Sequence, residues 1–176
     1  MNRYVVLTGV GPDRPGLVDE VTAFLAEREI NLEESRMAVL GGEFAMILLA
    51  SGPEPALTDL RQSLGQITRA TGLEFSLKTT RPPSERTGSP GLPYRLLAQS
   101  LDHPGIVHEI TRLLHARNVN IESMETHVRS APVSGTPIFA LQAQLSVPAE
   151  TKATRLRVEL LELADQFNLD IVFEPA

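Results

Sequence analysis

The 176-residue chain contains no cysteine. Without a thiol there is no disulfide framework, no thiolate metal site and no cysteine nucleophile. Cations are also scarce, 16 Lys and Arg against 22 Asp and Glu, for a formal net charge of −6. Phosphate backbones are gripped by clustered cations that displace counterions, so direct nucleic-acid binding is not expected. No stretch reaches the roughly 18 apolar residues of a membrane span. The N-terminal "MNRYVVLTGVG" lacks the apolar core and small-residue cleavage site of a secretory signal. No membrane association and a cytoplasmic location are the expectations.

Catalytic signatures are missing as well. The histidines are His103, His108, His115 and His127. A His-Glu-x-x-His zinc helix starting at His108 would need a histidine where Arg112 stands. His108 and His115 share a helical face but sit about 10.5 Å apart by helical rise, too far to grip one ion. There is no serine elbow and no P-loop. Glu33, Glu34 and Glu122 could form an acid/base pair, and a solvated sheet face accounts for them equally well. The expectation is a protein with no metal, no cofactor and no independent enzymatic activity.

What the chain does contain is a repeat. "DRPGLVDEVTAFLAEREINLEESRMAV" (13–39) aligns without a gap to "DHPGIVHEITRLLHARNVNIESMETHV" (102–128), an offset of 89 residues. Asp13/Asp102, Pro15/Pro104, Gly16/Gly105, Asn31/Asn120 and Glu33/Glu122 are among the identities. Between the copies, "RPPSERTGSPGLP" (81–93) is too rich in proline and glycine for helix or strand. The organisation expected is a domain at 1–80, a linker at 81–92 and a domain at 93–176.

Each half reads β-α-β-β-α-β. In the first, Tyr4 to Thr8 alternate as a strand. Leu17, Val18, Val21, Phe24 and Leu25 form an apolar helical stripe, with Pro15 placed in the first turn. Gly41-Gly42 closes a hairpin whose second strand, "EFAMILLAS", is apolar enough to be interior. Leu57, Leu60, Leu64 and Ile67 define a second helix ending near Gly72. Leu73, Phe75 and Leu77 alternate in a last strand. In the second half, Ile106, Val107, Ile110, Leu113 and Leu114 stripe one helix and Leu156, Leu160, Leu163 and Phe167 the other. This order predicts two α+β ferredoxin-like domains, antiparallel sheets with helices on one face.

The "GVGPDRPGLVDE" stretch (9–20) superficially suggests a dinucleotide loop, but Arg14 follows Gly9-x-Gly11-x-x where the fingerprint needs a third glycine. A different ligand suits it better. A helix N-terminus offers unpaired N–H groups and partial positive charge to a carboxylate. Gly16 and Gly105 permit close approach, Asp13 and Asp102 could meet an ammonium, and the amides of Asn31 and Asn120 both donate and accept. Together these groups suit a free amino acid. The alternative stands beside it: the Asp as helix N-cap, the Gly for packing, the Asn as a turn before the strand.

The D-x-P-G turn, the helix and the Asn-(Leu/Ile)-Glu strand start resemble the ACT domain, a small-molecule-binding regulatory module, in both halves. Residues 11–52 are also similar to the glycine cleavage system transcriptional repressor family of tandem ACT chains. The resemblance implies ligand contact by Asp13, Asn31, Asp102 and Asn120. A polar residue that often precedes the first contact by two positions appears here as Gly11 and Ser100. The candidate ligand set is thus Gly11, Asp13, Gly16, Leu17 and Asn31 in one half, and Ser100, Asp102, Gly105, Ile106 and Asn120 in the other. The resemblance further implies a small amino acid ligand such as glycine, paired ACT units with the ligand at their interface, a homodimer, and regulation through a transcription-regulator protein rather than direct DNA contact. The other reading is a ligand-independent interaction module.

Overall fold

The computed structural model describes residues 2–85, 91–132 and 134–176. The chain divides into two compact units, Met1–Thr87 and Gly88–Ala176. The first contains β1 (Arg3–Pro12), α1 (Leu17–Ala26), β2 (Asn31–Leu40), β3 (Glu43–Gly52), α2 (Glu54–Thr71) and β4 (Glu74–Thr80). The second contains β5 (Leu92–Leu101), α3 (Ile106–Ala116), β6 (Asn120–Ser130), β7 (Pro137–Val147), α4 (Ala153–Phe167) and β8 (Asp170–Pro175). Each sheet is antiparallel, ordered β2-β3-β1-β4 and β6-β7-β5-β8. This is the tandem ferredoxin-like α+β fold the element order predicts.

The core follows from strand alternation. In β1, Val5 and Leu7 face inward, and in β3, Phe44, Met46, Leu48 and Ala50 do so. They pack against Leu17, Val21 and Leu25 of α1 and Leu57, Leu60 and Ile67 of α2. The second core has the same layers, with Leu96 and Ala98, the β7 residues Phe139 to Leu145, Ile106, Ile110 and Leu114, and Leu156, Leu160 and Leu163. As the apolar "EFAMILLAS" segment implies, β3 is interior to its sheet.

Three local expectations need correction. Val18 is exposed rather than inward, whereas Phe24 packs against the core as expected, half-buried beneath the Arg28 guanidinium, 3.6 Å above its ring. The fully buried stripe is thus Leu17, Val21 and Leu25. Pro15 does not occupy the first helical turn. The N-cap is Gly16, so the proline lies outside the helix. The linker is also shorter than its composition suggests. Pro83–Glu85 forms a 3-10 turn, and Leu92 and Pro93 already pair with Val147 and Ser146 in β5. Proline is tolerated near a strand's start. Residues 86–90 of the expected linker lie outside the described residues.

Candidate functional site

The β1–α1 turn is set by its glycine. Gly16 has φ 91° and Gly105 has φ 100°, left-handed values that L side chains rarely adopt. That backbone makes the glycine itself the N-cap, and neither helix has a side-chain cap. The Asp is therefore not the N-cap. Instead the Asp13 N–H donates to the Gly42 carbonyl at 3.0 Å, and the Asp102 N–H donates to Pro137 at 3.0 Å, tying each turn to its neighbouring hairpin. The exposed Asp13 and Asp102 carboxylates have no hydrogen-bond or ion-pair partner among the described residues. Each turn thus sets an anionic carboxylate beside a helix start whose N–H groups lack a side-chain acceptor.

The two turns are dressed differently. In the first, Arg14 grips Glu20 with both terminal nitrogens, at 2.6 and 2.7 Å, and also donates to the Ala70 carbonyl at 3.3 Å. The turn is thereby clasped to the C-terminal end of α2. In the second, the counterpart of Arg14 is His103, whose ring stacks at 6.1 Å on Phe167 of α4. Glu109, the counterpart of Glu20, pairs with Arg112 on its own helix at 2.6 Å.

The remaining candidates separate by face. Gly11 and Ser100 lie on the core side of their strands, and the Ser100 hydroxyl donates to the Leu101 carbonyl at 2.9 Å. The Leu17 and Ile106 side chains are buried and anchor the helix, leaving only their backbone for a ligand. Asn31 and Asn120 are not brought to the turns. Asn31 is in register with Ser51, which pairs with Tyr4, whereas the turn follows Pro12. Eight strand residues at about 3.4 Å each put roughly 27 Å between them within one unit.

The Asn residues instead build a corner of their own. Leu32 pairs with Ala50 and Glu34 with Leu49, leaving Glu33 as the extra residue of a β-bulge. The Asn31 amide donates to the Glu33 carboxylate at 3.0 Å, and the buried Ser51 hydroxyl donates to the same oxygen at 2.5 Å. The second unit repeats this, with Glu122 bulged between Ile121 and Ser123 and accepting from the Asn120 amide at 2.6 Å. The repeated Asn-x-Glu was visible in the sequence, but periodicity does not reveal a bulge.

Hydrogen bonds set the charge state here. The bond from Arg14 holds the Glu20 carboxyl below its ordinary range, and the bonds from Ser51 and then Asn31 do the same for Glu33. A carboxyl depressed in the folded state stabilises it above the unfolded value near 4.3, and that contribution disappears as pH falls through the lower folded value. Thermal midpoints of the first unit should therefore drop as pH is taken from 5 towards 3. Glu20→Gln should flatten this drop, and an unchanged profile in scanning calorimetry would count against the clasp.

Among the described residues no group of three or more His, Asp or Glu is arranged to hold a metal ion, and no helix is long and apolar enough to cross a membrane. Residues 3–78 and 94–155 each match the ACT domain. The chain is 28% identical to the glycine cleavage system transcriptional repressor of Escherichia coli (strain K12), over 94% of this chain and 86% of that protein. A UPF0237 protein of Methanococcus maripaludis is 44% identical over 42% of the chain and 84% of its own length. Among solved structures, a protein of unknown function from Galdieria sulphuraria superposes with a TM-score of 0.82 at 27% identity, covering 100% of this chain and 99% of that one. A putative glycine cleavage system transcriptional repressor superposes with a TM-score of 0.73 at 22% identity, covering 99% and 97%.

Proposed function

The chain belongs to the ACT-domain family, with one domain in each unit, and from that premise we propose that it is an amino-acid-sensing regulatory protein. The ligand is a small zwitterion received at the β1–α1 turns. The observation that carries this reading is the pairing of an unpartnered Asp carboxylate with a helix start that has no side-chain cap, found in both units. The N–H groups complement a carboxylate and the Asp complements an ammonium. Asn31 and Asn120 take no part in this site within a unit.

The similarity to a glycine cleavage system repressor makes glycine the first ligand to test. Its five heavy atoms at a ceiling of about 1.5 kcal/mol each cap binding near about 7.5 kcal/mol, so the affinity is micromolar at best. Weak binding suits a sensor of an abundant metabolite. With a net charge of −6, the protein acts on transcription through a protein partner rather than by gripping DNA itself, and it does so as a homodimer in the cytoplasm.

A thermal-shift and calorimetric screen of the full chain against the twenty amino acids tests the reading. One small amino acid should raise the midpoint saturably. Asp13→Asn and Asp102→Asn should each weaken the site they occupy by about 10-fold or more, the scale of one charge-assisted hydrogen bond. If no amino acid gives heat or stabilisation, or if both variants bind as the parent does, the reading fails.

A further inference from the structure

Each sheet is covered by its own helices on one face only, and the duplicated fold allows those two uncovered faces to be compared position by position. On the first unit the uncovered face carries Val6 and Val10 of β1, Ile47 and Leu49 of β3, and Ala38 and Leu40 of β2. Val10 is 50% exposed, Ile47 48% and Leu40 71%. The structurally equivalent positions of the second unit hold Arg95, Gln99, Gln142, Gln144, His127 and Arg129. That second face keeps apolar surface at Leu97, Leu101 and Val172, where the first has Thr8, Pro12 and Ser76, but amides and charges replace the aliphatic side chains on either side of Leu97. The same backbone in the same chain thus presents a more polar face once and a more aliphatic one once. Fold geometry does not require the aliphatic version, so the contrast marks the first face as a surface to be covered.

Charge and size indicate the occupant. Around the apolar centre, β2 contributes Glu34 and Arg36, paired at 3.0 Å, and β4 contributes Glu74 and Lys78. Glu43 at the start of β3 stands on the same face, so three acids and two bases surround the apolar centre, and a two-fold axis can set Arg36 and Lys78 of one copy against the acids of the other. Three strands of ten residues and one of seven, spaced about 4.8 Å, give a face of about 600 Å², or about 1,200 Å² over two copies, the lower edge of specific interfaces. A hollow of about 300 Å³ between Val6, Ile47, Leu49 and Arg36 supplies relief for interdigitation, as facing sheets require. We propose that two copies of the chain dimerise by packing the uncovered sheet face of the first unit against itself. This goes beyond ligand sensing and stands whether or not an amino acid binds.

Sedimentation equilibrium of the full chain at micromolar concentration tests the proposal. The parent should be a dimer. Val10→Gln/Ile47→Gln/Leu49→Gln, which copies Gln99, Gln142 and Gln144 of the second unit, should be monomeric with an unchanged far-ultraviolet dichroism spectrum. Ile47→Gln alone alters an exposed side chain and should raise the dimer Kd at least about 10-fold. It decides the matter should the triple variant fold poorly. A monomeric parent, the result if a different protein covers this face, overturns the proposal. So does a dimer whose Kd the glutamines leave unchanged, the result if association runs through strand edges.

Discussion

Leu60→Ala will destabilise the first unit, Leu160→Ala the second, and the double variant by the sum. Both leucines are fully buried, one on α2 and one on α4, each facing its own sheet. Truncating such a side chain removes its transfer free energy and leaves a cavity that the close-packed surroundings only partly fill, for a cost of about 2–5 kcal/mol. The two core clusters share no residue, so the costs should add to within about 0.5 kcal/mol. Urea unfolding followed by amide exchange resolves where each loss falls. Leu60→Ala should expose the amides of β1 and β3 to exchange while those of β5 and β7 keep their protection. Equal loss of protection in both sets would mean that the cores unfold as one cooperative body, and a coupling well above about 1 kcal/mol would mean that the two sites share a packing network.

Much of this architecture was legible because its signals are local. The near-continuous apolar run of "EFAMILLAS" reports an interior strand from side-chain chemistry alone. Gly41 and Gly42, both at positive φ, close a hairpin, and Gly72 at φ 78° ends α2, each where glycine's freedom is required. The site was less legible. Whether an Asp caps a helix depends on the φ of a residue three positions later, and here the left-handed Gly16 removes that role from Asp13. The Arg14–Glu20 clasp spans six residues and anchors on Ala70, so no helical spacing rule finds it. Asn31 looked like a partner of the turn because the two recur together in sequence. Register places it at the opposite end of the sheet, and a bulge one pair later turns Glu33 toward it. Spacing in sequence does not tell whether two duplicated residues meet within one domain; register does.

Gly11→Ser will cost the first unit about 1–3 kcal/mol, the usual range for overpacking, although the second unit has serine at the same position. A Cβ on Gly11 would lie 2.8 Å from the Gly72 carbonyl oxygen and 3.1 Å from the Leu73 Cα. Both are backbone atoms where α2 passes into β4, so relief requires moving the helix end. In the second unit Ser100 is accommodated on the core side, its hydroxyl satisfied by the Leu101 carbonyl, and there the chain passes from α4 to β8 through Asn168 and Leu169. The reverse change, Ser100→Gly, removes a side chain without any clash and should cost about 0.5–1 kcal/mol, the entropic cost of glycine in a strand. Thermal denaturation of the two variants separates packing from recognition. If Gly11 is bare because the α2–β4 junction presses on it, Gly11→Ser lowers the midpoint and leaves the ligand response of the second turn intact. A variant that folds as stably as the parent but no longer responds to amino acid at the first turn would instead make the missing Cβ a clearance for ligand.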